Sequence, residues 1–139
     1  IIYATSPLVS PKDLWAACLQ FEQGDVGKPL LAVAQFPAPI EHAFRMDPES
    51  DKLVPASPEL LVQRTQDLPH AYHDAGMFAF FSSAFVRSSV GAGDFEAFRG
   101  YVVPGFRVTD IDWPEDWERA ENLKRALGRG PVGDEGISE

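Results

Sequence analysis

The sequence lacks the features that would mark it as exported, membrane-spanning or nucleic-acid-binding. Its 139 residues contain one cysteine, Cys18, so no internal disulfide can form, and a cytoplasmic location is expected. No apolar run approaches the roughly 18 residues that a membrane span needs. Only 12 basic residues stand against 21 acidic ones, and the net charge of −9 disfavours a phosphate-backbone partner. We therefore expect neither membrane insertion nor nucleic-acid binding.

A starting methionine is also missing, because the chain opens with the apolar run IIYA at Ile1. Such a run is typical of a strand that is buried on both faces of a parallel sheet. A strand of that kind needs neighbours on both sides, so we expect that further sequence precedes Ile1. The length of the chain suits a single domain with a modest core.

Strands and helices are predicted to alternate along the rest of the chain. Ser10 is a plausible helix cap, and Pro29–Phe36 predicts a second strand that runs parallel to the first. Gly76–Phe81 predicts a further strand followed by a helical turn. Phe106–Ile111 predicts a final strand, before a helix that begins at Pro114. This alternation indicates an α/β fold, in which ligands bind beyond the carboxyl ends of the strands.

Residues 37–69 interrupt this pattern with a proline-rich stretch. Two short apolar segments, IEHAF and KLVP, flank the polar turn MDPESDK and predict a β-hairpin. A hairpin of this size cannot bury itself, so we expect it to lean on the main sheet or on another subunit. Residues 128–139 carry few groups to bury, and we expect them to form a disordered tail after a domain of residues 1–127.

The triplet DID, from Asp110 to Asp112, offers a candidate metal site. Side chains alternate along a strand, so Asp110 and Asp112 should share one face while Ile111 points to the other. Two carboxylates about 6.5–7 Å apart at Cα can share one Mg²⁺, which takes oxygen ligands and binds together with substrate phosphates. The alternative is that Asp112 caps the following helix and Asp110 is a solvated strand end. Spacing alone does not distinguish the two interpretations.

Two other groups of residues favour structural interpretations. His70, His73 and Asp74 lie in the segment HAYHD, but a zinc site needs three or four ligands, so we expect these to be loop residues near the ligand pocket or the hairpin. Four phenylalanines follow in residues 78–85. Without nearby positive charge, they are expected to form core or a dimer interface rather than a stacking platform for bases.

Three segments resemble, in order and spacing, parts of the bacterial CMP-nonulosonate cytidylyltransferases, the family that activates sialic and pseudaminic acids. They are YATSPLVSPKDL, RTQDLPHAYHDAGMF and VTDIDWPEDWERAENL. The resemblance extends from Ile1 to about Leu127. It implies the C-terminal part of a Rossmann-like nucleotidyltransferase sheet, here truncated, with residues 37–69 as a dimerisation arm. It also implies a homodimer that transfers CMP from CTP to a nine-carbon sugar acid and releases pyrophosphate.

The same resemblance implies roles for individual residues. Asp110 and Asp112 would bind Mg²⁺ and carry the catalysis, while Thr5 and Ser6 would contact the nucleotide and sugar pocket. The other substrate-binding residues that it implies are Arg64, Gln66, Asp67, Asp74 and Gly76. The proton of the sugar hydroxyl would pass to one of the two aspartates or to a hydroxide on the metal, and the sequence leaves that choice open.

The chain departs from the family pattern at several points. No segment corresponds to the Gly-rich, basic loop that holds the CTP triphosphate in the family, so these residues alone are expected to bind CTP weakly. His42, Met77 and Trp113 replace an Arg, a Gln and a Thr. A second hypothesis follows, in which the chain is a catalytically inactive remnant that serves as a dimerisation or binding module.

Overall fold

Three α-helices and five strands form the described part of the chain, which comprises residues 1–88 and 98–128 of a computed structural model. The helices are α1 (Pro11–Gln23), α2 (Ser83–Ser88) and α3 (Pro114–Gly128). The strands are β1 (Leu30–Gln35), β2 (Phe44–Met46), β3 (Leu53–Pro55), β4 (Tyr72–Phe80) and β5 (Arg99–Val102). The fold is mixed α/β, as expected. Beyond Gly128, the predicted tail lies outside the described residues.

A three-stranded sheet in the order β4-β1-β5 lies at the centre of the molecule. The central strand, β1, runs antiparallel to β4 and parallel to β5. Leu30, Ala32 and Ala34 of β1 are buried in one cluster with Met77 and Phe78 of β4. The apolar sequence LLAVA suits this central position. The sheet is therefore mixed rather than entirely parallel.

The run IIYA is not the buried strand that its composition predicts. Ile2 forms a single antiparallel bridge with Phe78, and the Tyr3 N–H donates to the Met77 carbonyl at 3.0 Å. Ile1 and Ile2 are 70% and 59% exposed. The prediction is wrong because this segment follows the outer edge of β4, with no strand on its other side among the described residues. Since β4 also separates it from β1, the two predicted neighbours do not pair.

Signals from neighbouring residues account for the start of α1 and for an ion pair on the surface of α3. Ser10 Oγ accepts a hydrogen bond from the Lys12 N–H at 3.2 Å, and Pro11 occupies the first turn of α1. On α3, Arg125 pairs with Glu121 at 2.8 Å, as the spacing of four residues predicts. Within residues 1–88 and 98–128, no helix combines the length and the apolar character that a membrane crossing requires.

Strands β2 and β3 pair as the predicted hairpin. Its turn is held by Asp47, whose carboxylate accepts hydrogen bonds from the Glu49 N–H at 3.0 Å and the Ser50 hydroxyl at 2.5 Å. The first strand is shorter than predicted, because Ile40–His42 forms a 3₁₀ turn. The large apolar side chains of the two strands are about half exposed or more: Phe44, Met46, Leu53 and Val54. The hairpin is therefore not buried against the main sheet of its own chain.

The last strand of the sheet lies earlier in the chain than predicted. The Val103 N–H still donates to the Val33 carbonyl at 2.8 Å, but Pro104 has no N–H with which to continue the ladder. The predicted strand Phe106–Ile111 is therefore wrong. A 3₁₀ turn at Gly105–Arg107 takes its place, and the following residues run as irregular chain into α3.

Candidate functional site

A cleft of about 460 Å³ opens at the carboxyl ends of β1 and β5, the edge at which the sequence predicts a ligand site. The polar and charged residues of the described chain that line it are Gln35, His73, Thr109, Asp110, Asp112, Asp116 and Arg119. Their side chains offer carboxylates, an imidazole and a guanidinium to the same space. Both predicted metal ligands therefore border one cavity, although neither lies on a strand.

The backbone at Asp110–Asp112 keeps the alternation that a strand would give. Asp110 and Asp112 line the cleft, whereas Ile111 lines a second cleft of about 450 Å³. The Ile111 N–H donates to the Thr5 carbonyl at 3.0 Å, which holds the triplet against the loop after the first residues. The two carboxylates thus lie on the cleft side of the chain, as predicted. No strand forms here, and the segment is held by the hydrogen bond from Ile111 to Thr5.

Gly76 brings β4 into contact with Asp110. Its φ of +60° lies in the left-handed region that favours glycine, at the point where the β1–β4 register shifts between Leu31 and Val33. A Cβ added at Gly76 would come within 2.5 Å of Asp110 Oδ2. The Gly76 N–H donates to Asp74 Oδ1 at 2.8 Å. The absence of a side chain at Gly76 therefore lets the Asp110 carboxylate approach the backbone of β4.

His73 lies on β4, where it pairs with Ala34 of β1. The predicted loop at this position is wrong, because β4 starts at Tyr72, well before the strand that the sequence predicts. His73 Nδ1 lies 2.7 Å from the Asp74 carbonyl oxygen, and the imidazole packs 4.9 Å from the Phe36 ring. A carbonyl oxygen can only accept, so Nδ1 carries the hydrogen.

Two further charged residues line the cleft but are not predicted from the sequence. They are Asp116 and Arg119, both on α3. Asp116 Oδ2 accepts hydrogen bonds from the Asp112 N–H at 3.2 Å and the Trp113 N–H at 3.0 Å. Asp116, in the first turn of α3, therefore holds the two residues before the helix, and no hydrogen bond among the described residues ties the Asp112 carboxylate to the helix. Asp116 is the third residue of α3 when Pro114 is counted as the first, and Arg119 follows three residues later on the same face. This spacing is the local signal for both residues.

A buried ion pair holds the segment that leads to the aspartates. Arg107 donates to the Asp13 carboxylate through Nη1 at 2.6 Å and Nη2 at 3.1 Å, and the two side chains are 21% and 9% exposed. The Tyr101 hydroxyl donates to Asp13 Oδ1 at 3.3 Å. Burial, and then the charge of Asp13, raise the pKa of Tyr101 above its usual value. Contacts from α1 and β5 therefore fix the backbone shortly before Asp110.

Two curated proteins are similar to this chain. Both are pseudaminic acid cytidylyltransferases of Campylobacter jejuni subsp. jejuni, one from serotype O:23/36 and one from serotype O:2. Each is 34% identical over 123 residues, which is 88% of this chain and 51% of the relative. The predicted resemblance to the cytidylyltransferase family is confirmed. The chain spans about half the length of these relatives, and no family model matches it.

Two residues implied by the cytidylyltransferase resemblance, Thr5 and Ser6, lie in the loop that is tied to Ile111. Thr5 is exposed, whereas Ser6 is only 6% exposed. The Ser6 hydroxyl and that of Thr109, which is 4% exposed, have no hydrogen-bond partner among the described residues. Thr109 lines the cleft of the aspartate pair, whereas Thr5 and Ser6 do not.

Three other residues carried over from the cytidylyltransferases do not line the cleft. Arg64, Gln66 and Asp67 lie on and beside the exposed 3₁₀ turn Thr65–Asp67. Arg64 Nε donates to Asp67 Oδ2 at 2.8 Å, and these two side chains are 73% and 49% exposed. Within one chain, the structure therefore does not bring this turn together with the aspartate pair.

The donor set of the cleft suits a hard divalent cation. Asp110 and Asp112 are exposed carboxylates, and carboxylate oxygens are the ligands that Mg²⁺ prefers. Across residues 1–88 and 98–128, no three His, Cys, Asp or Glu side chains converge as a metal site. The described chain would thus contribute two carboxylates, with substrate phosphates and water as the remaining ligands, which is a common arrangement for Mg²⁺.

Proposed function

We propose that this chain is part of a cytidylyltransferase that transfers CMP from CTP to a nine-carbon sugar acid of the pseudaminic or sialic type and releases pyrophosphate. The observation that carries the proposal is the 34% identity to two pseudaminic acid cytidylyltransferases over 88% of the chain. The position of Asp110 and Asp112 supports it, since carboxylates at the carboxyl ends of strands suit a phosphoryl-transfer site. A Rossmann-like nucleotidyltransferase sheet is the fold that we infer for the complete enzyme.

Charge is the main physical difficulty of this reaction. Both substrates are anions, and the chain itself has a net charge of −9. Asp110 and Asp112 would hold Mg²⁺, which when bound neutralises phosphate oxygens and orients them for in-line displacement. Arg119 adds a positive side chain to the same cleft, where a guanidinium can bind a carboxylate or a phosphate through paired hydrogen bonds.

The surrounding residues hold the aspartate pair in place before substrates arrive. Asp74 fixes the backbone of Gly76, against which the Asp110 carboxylate rests. Asp116 fixes the backbone at Asp112. Groups that are ordered in advance reduce the entropy that must be lost on the way to the transition state, and this is a large part of catalysis by positioning.

We infer that residues 37–69 form an arm that contacts a second copy of the chain. The hairpin presents the exposed side chains of Phe44, Met46, Leu53 and Val54. A two-stranded hairpin with such an apolar surface is expected to be covered by a partner. In a homodimer of this kind, the exposed turn with Arg64, Gln66 and Asp67 would reach the cleft of the neighbouring subunit.

Turnover of defined substrates tests this function. The complete protein in which the chain occurs is incubated with CTP, pseudaminic acid and Mg²⁺, and CMP-sugar and pyrophosphate are expected in equal amounts. Asp110→Asn should lower the rate about 100-fold or more, because it weakens electrostatic stabilisation of the reacting phosphate. Glu115→Gln removes an exposed acid of α3 that does not line the cleft, and it serves as the control. A protein that sediments as a dimer but forms no CMP-sugar would support the inactive binding module instead.

A further inference from the structure

We propose that His73 is the catalytic residue that accepts the proton of the sugar hydroxyl as that hydroxyl attacks the α-phosphorus of CTP. This role rests on the proposed function. From the sequence, the acceptor stays open between the two aspartates and a hydroxide on the metal. The structure adds an imidazole to the wall of the same cleft.

The contacts of His73 determine which ring nitrogen is available. Nδ1 donates to the Asp74 carbonyl at 2.7 Å, and the Phe36 ring packs against the imidazole at a centroid distance of 4.9 Å. These contacts fix the tautomer and restrain the ring, so the lone pair of the neutral imidazole lies on Nε2. Nε2 makes no hydrogen bond to the described residues, and His73 is half-buried at the cleft wall. A hydroxyl bound in the cleft therefore has an acceptor on this side.

The chemistry of the cleft favours an imidazole over a carboxylate as the acceptor. A neutral imidazole accepts a proton through its free ring nitrogen, and histidine is the side chain that most often does so in enzymes. The charged side chains that face the same space are those of Asp110, Asp112, Asp116 and Arg119. Asp116 Oδ2 already accepts hydrogen bonds from backbone N–H groups, and the other two carboxylates are the proposed metal ligands.

The step balances without any further reactant. The O–H bond of the anomeric hydroxyl breaks, and the proton moves to Nε2 of His73. The hydroxyl oxygen forms a bond to the α-phosphorus of CTP. The bond from that phosphorus to the oxygen bridging to the β-phosphate breaks, and pyrophosphate leaves with the bonding electrons. His73 then returns its proton to water.

His73→Asn is the most informative variant, because it keeps an amide N–H for the Asp74 carbonyl and removes the basic nitrogen. In the complete protein, assayed with CTP, pseudaminic acid and Mg²⁺, we expect kcat to fall about 100-fold or more while KM changes little. The pH profile of kcat should also differ between the unmodified protein and the variant, because the variant has no ionisable side chain at this position.

His70→Asn is the matched control. His70 lies three residues earlier, bonds to Gln35 Nε2 at 2.7 Å, and does not line the cleft that contains the aspartates. Its replacement should leave kcat and the pH profile of kcat unchanged. Equal losses in the His70 and His73 variants would overturn the specific role of His73.

The remaining outcomes separate this role from the proposed function. If the unmodified protein makes no CMP-sugar, the proposed function fails and His73 loses its reaction. If it is active and His73→Asn keeps its kcat, only the role of His73 is overturned, and the acceptor is one of the two aspartates or a hydroxide on the metal. If circular dichroism shows that His73→Asn is unfolded, the kcat of His73→Gln is compared with that of the unmodified protein instead. An equal kcat in the two proteins overturns the role of His73. An identical pH profile of kcat in the unmodified protein and in the His73 variant overturns the role.

Discussion

Replacing Gly76 with alanine tests how closely β4 and the aspartate pair are joined. A φ of +60° is left-handed, and holding an L-residue there lowers the free energy of unfolding by about 1–2 kcal/mol. The new methyl carbon would also lie 2.5 Å from Asp110 Oδ2. Non-bonded heavy atoms need about 3.5 Å, so the carboxylate must retreat by roughly 1 Å. A misplacement of that size at a reacting site costs about 100-fold in rate.

Two assays measure these effects separately. Urea denaturation should show that Gly76→Ala loses about 1–2 kcal/mol, and CMP-sugar formation should show the loss of about 100-fold in kcat. Gly128→Ala is the matched control, because a Cβ there meets no atom within 4 Å and Gly128 does not line the aspartate cleft. Its stability should be unchanged or up to about 1 kcal/mol higher. Wild-type stability in Gly76→Ala would refute the left-handed backbone, and wild-type activity would refute the contact with Asp110.

Three further predictions concern the support and charge of the cleft. Asp13→Ala leaves Arg107 largely buried without its partner and should lower the free energy of unfolding in urea by about 3 kcal/mol. Arg125→Ala removes the exposed pair with Glu121 and should lower the free energy of unfolding by less than about 0.5 kcal/mol. Equal losses in the two variants would contradict the burial of the Asp13–Arg107 pair. Folding raises the pKa of the Tyr101 hydroxyl. The contribution of Tyr101 to the free energy of unfolding is therefore complete below about pH 10, and it is lost as the pH rises through the pKa of the folded state. In Tyr101→Phe, the free energy of unfolding should therefore fall less steeply with pH above about pH 10. An unchanged slope would count against the raised pKa of Tyr101. Arg119→Gln should raise KM for the anionic substrates in initial-rate assays, more at low than at high salt, and a change that ignores salt would exclude a direct charge interaction.

Features that depend on neighbouring residues could be predicted from the sequence. Ser10 and Pro11 begin α1 because cap and first-turn preferences act within a few residues. Alternation along extended chain places Asp110 and Asp112 on one side even where no strand forms. The hairpin turn at Asp47 is likewise encoded within a short polar stretch.

Features that depend on distant contacts could not be predicted in the same way. Residues 106–111 have the apolar content of a strand, but Pro104 stops the pairing with β1 before they are reached. The run IIYA has the composition of a central strand and lies at an edge, because strand order depends on pairing across the whole chain. His73 joins the aspartates only when β4 and the segment that leads into α3 converge on the same cleft. No short stretch of sequence contains that information.

Metal binding by the aspartate pair tests the central claim most directly. Mn²⁺, a spectroscopic substitute for Mg²⁺, is titrated alone into the complete protein, and electron paramagnetic resonance measures the bound fraction. We predict that Asp110→Asn and Asp112→Asn each weaken Mn²⁺ binding by at least about 10-fold, while Glu115→Gln binds as the unmodified protein does. Unchanged Mn²⁺ affinity in both aspartate variants would contradict the assignment of this cleft as the site of CMP transfer.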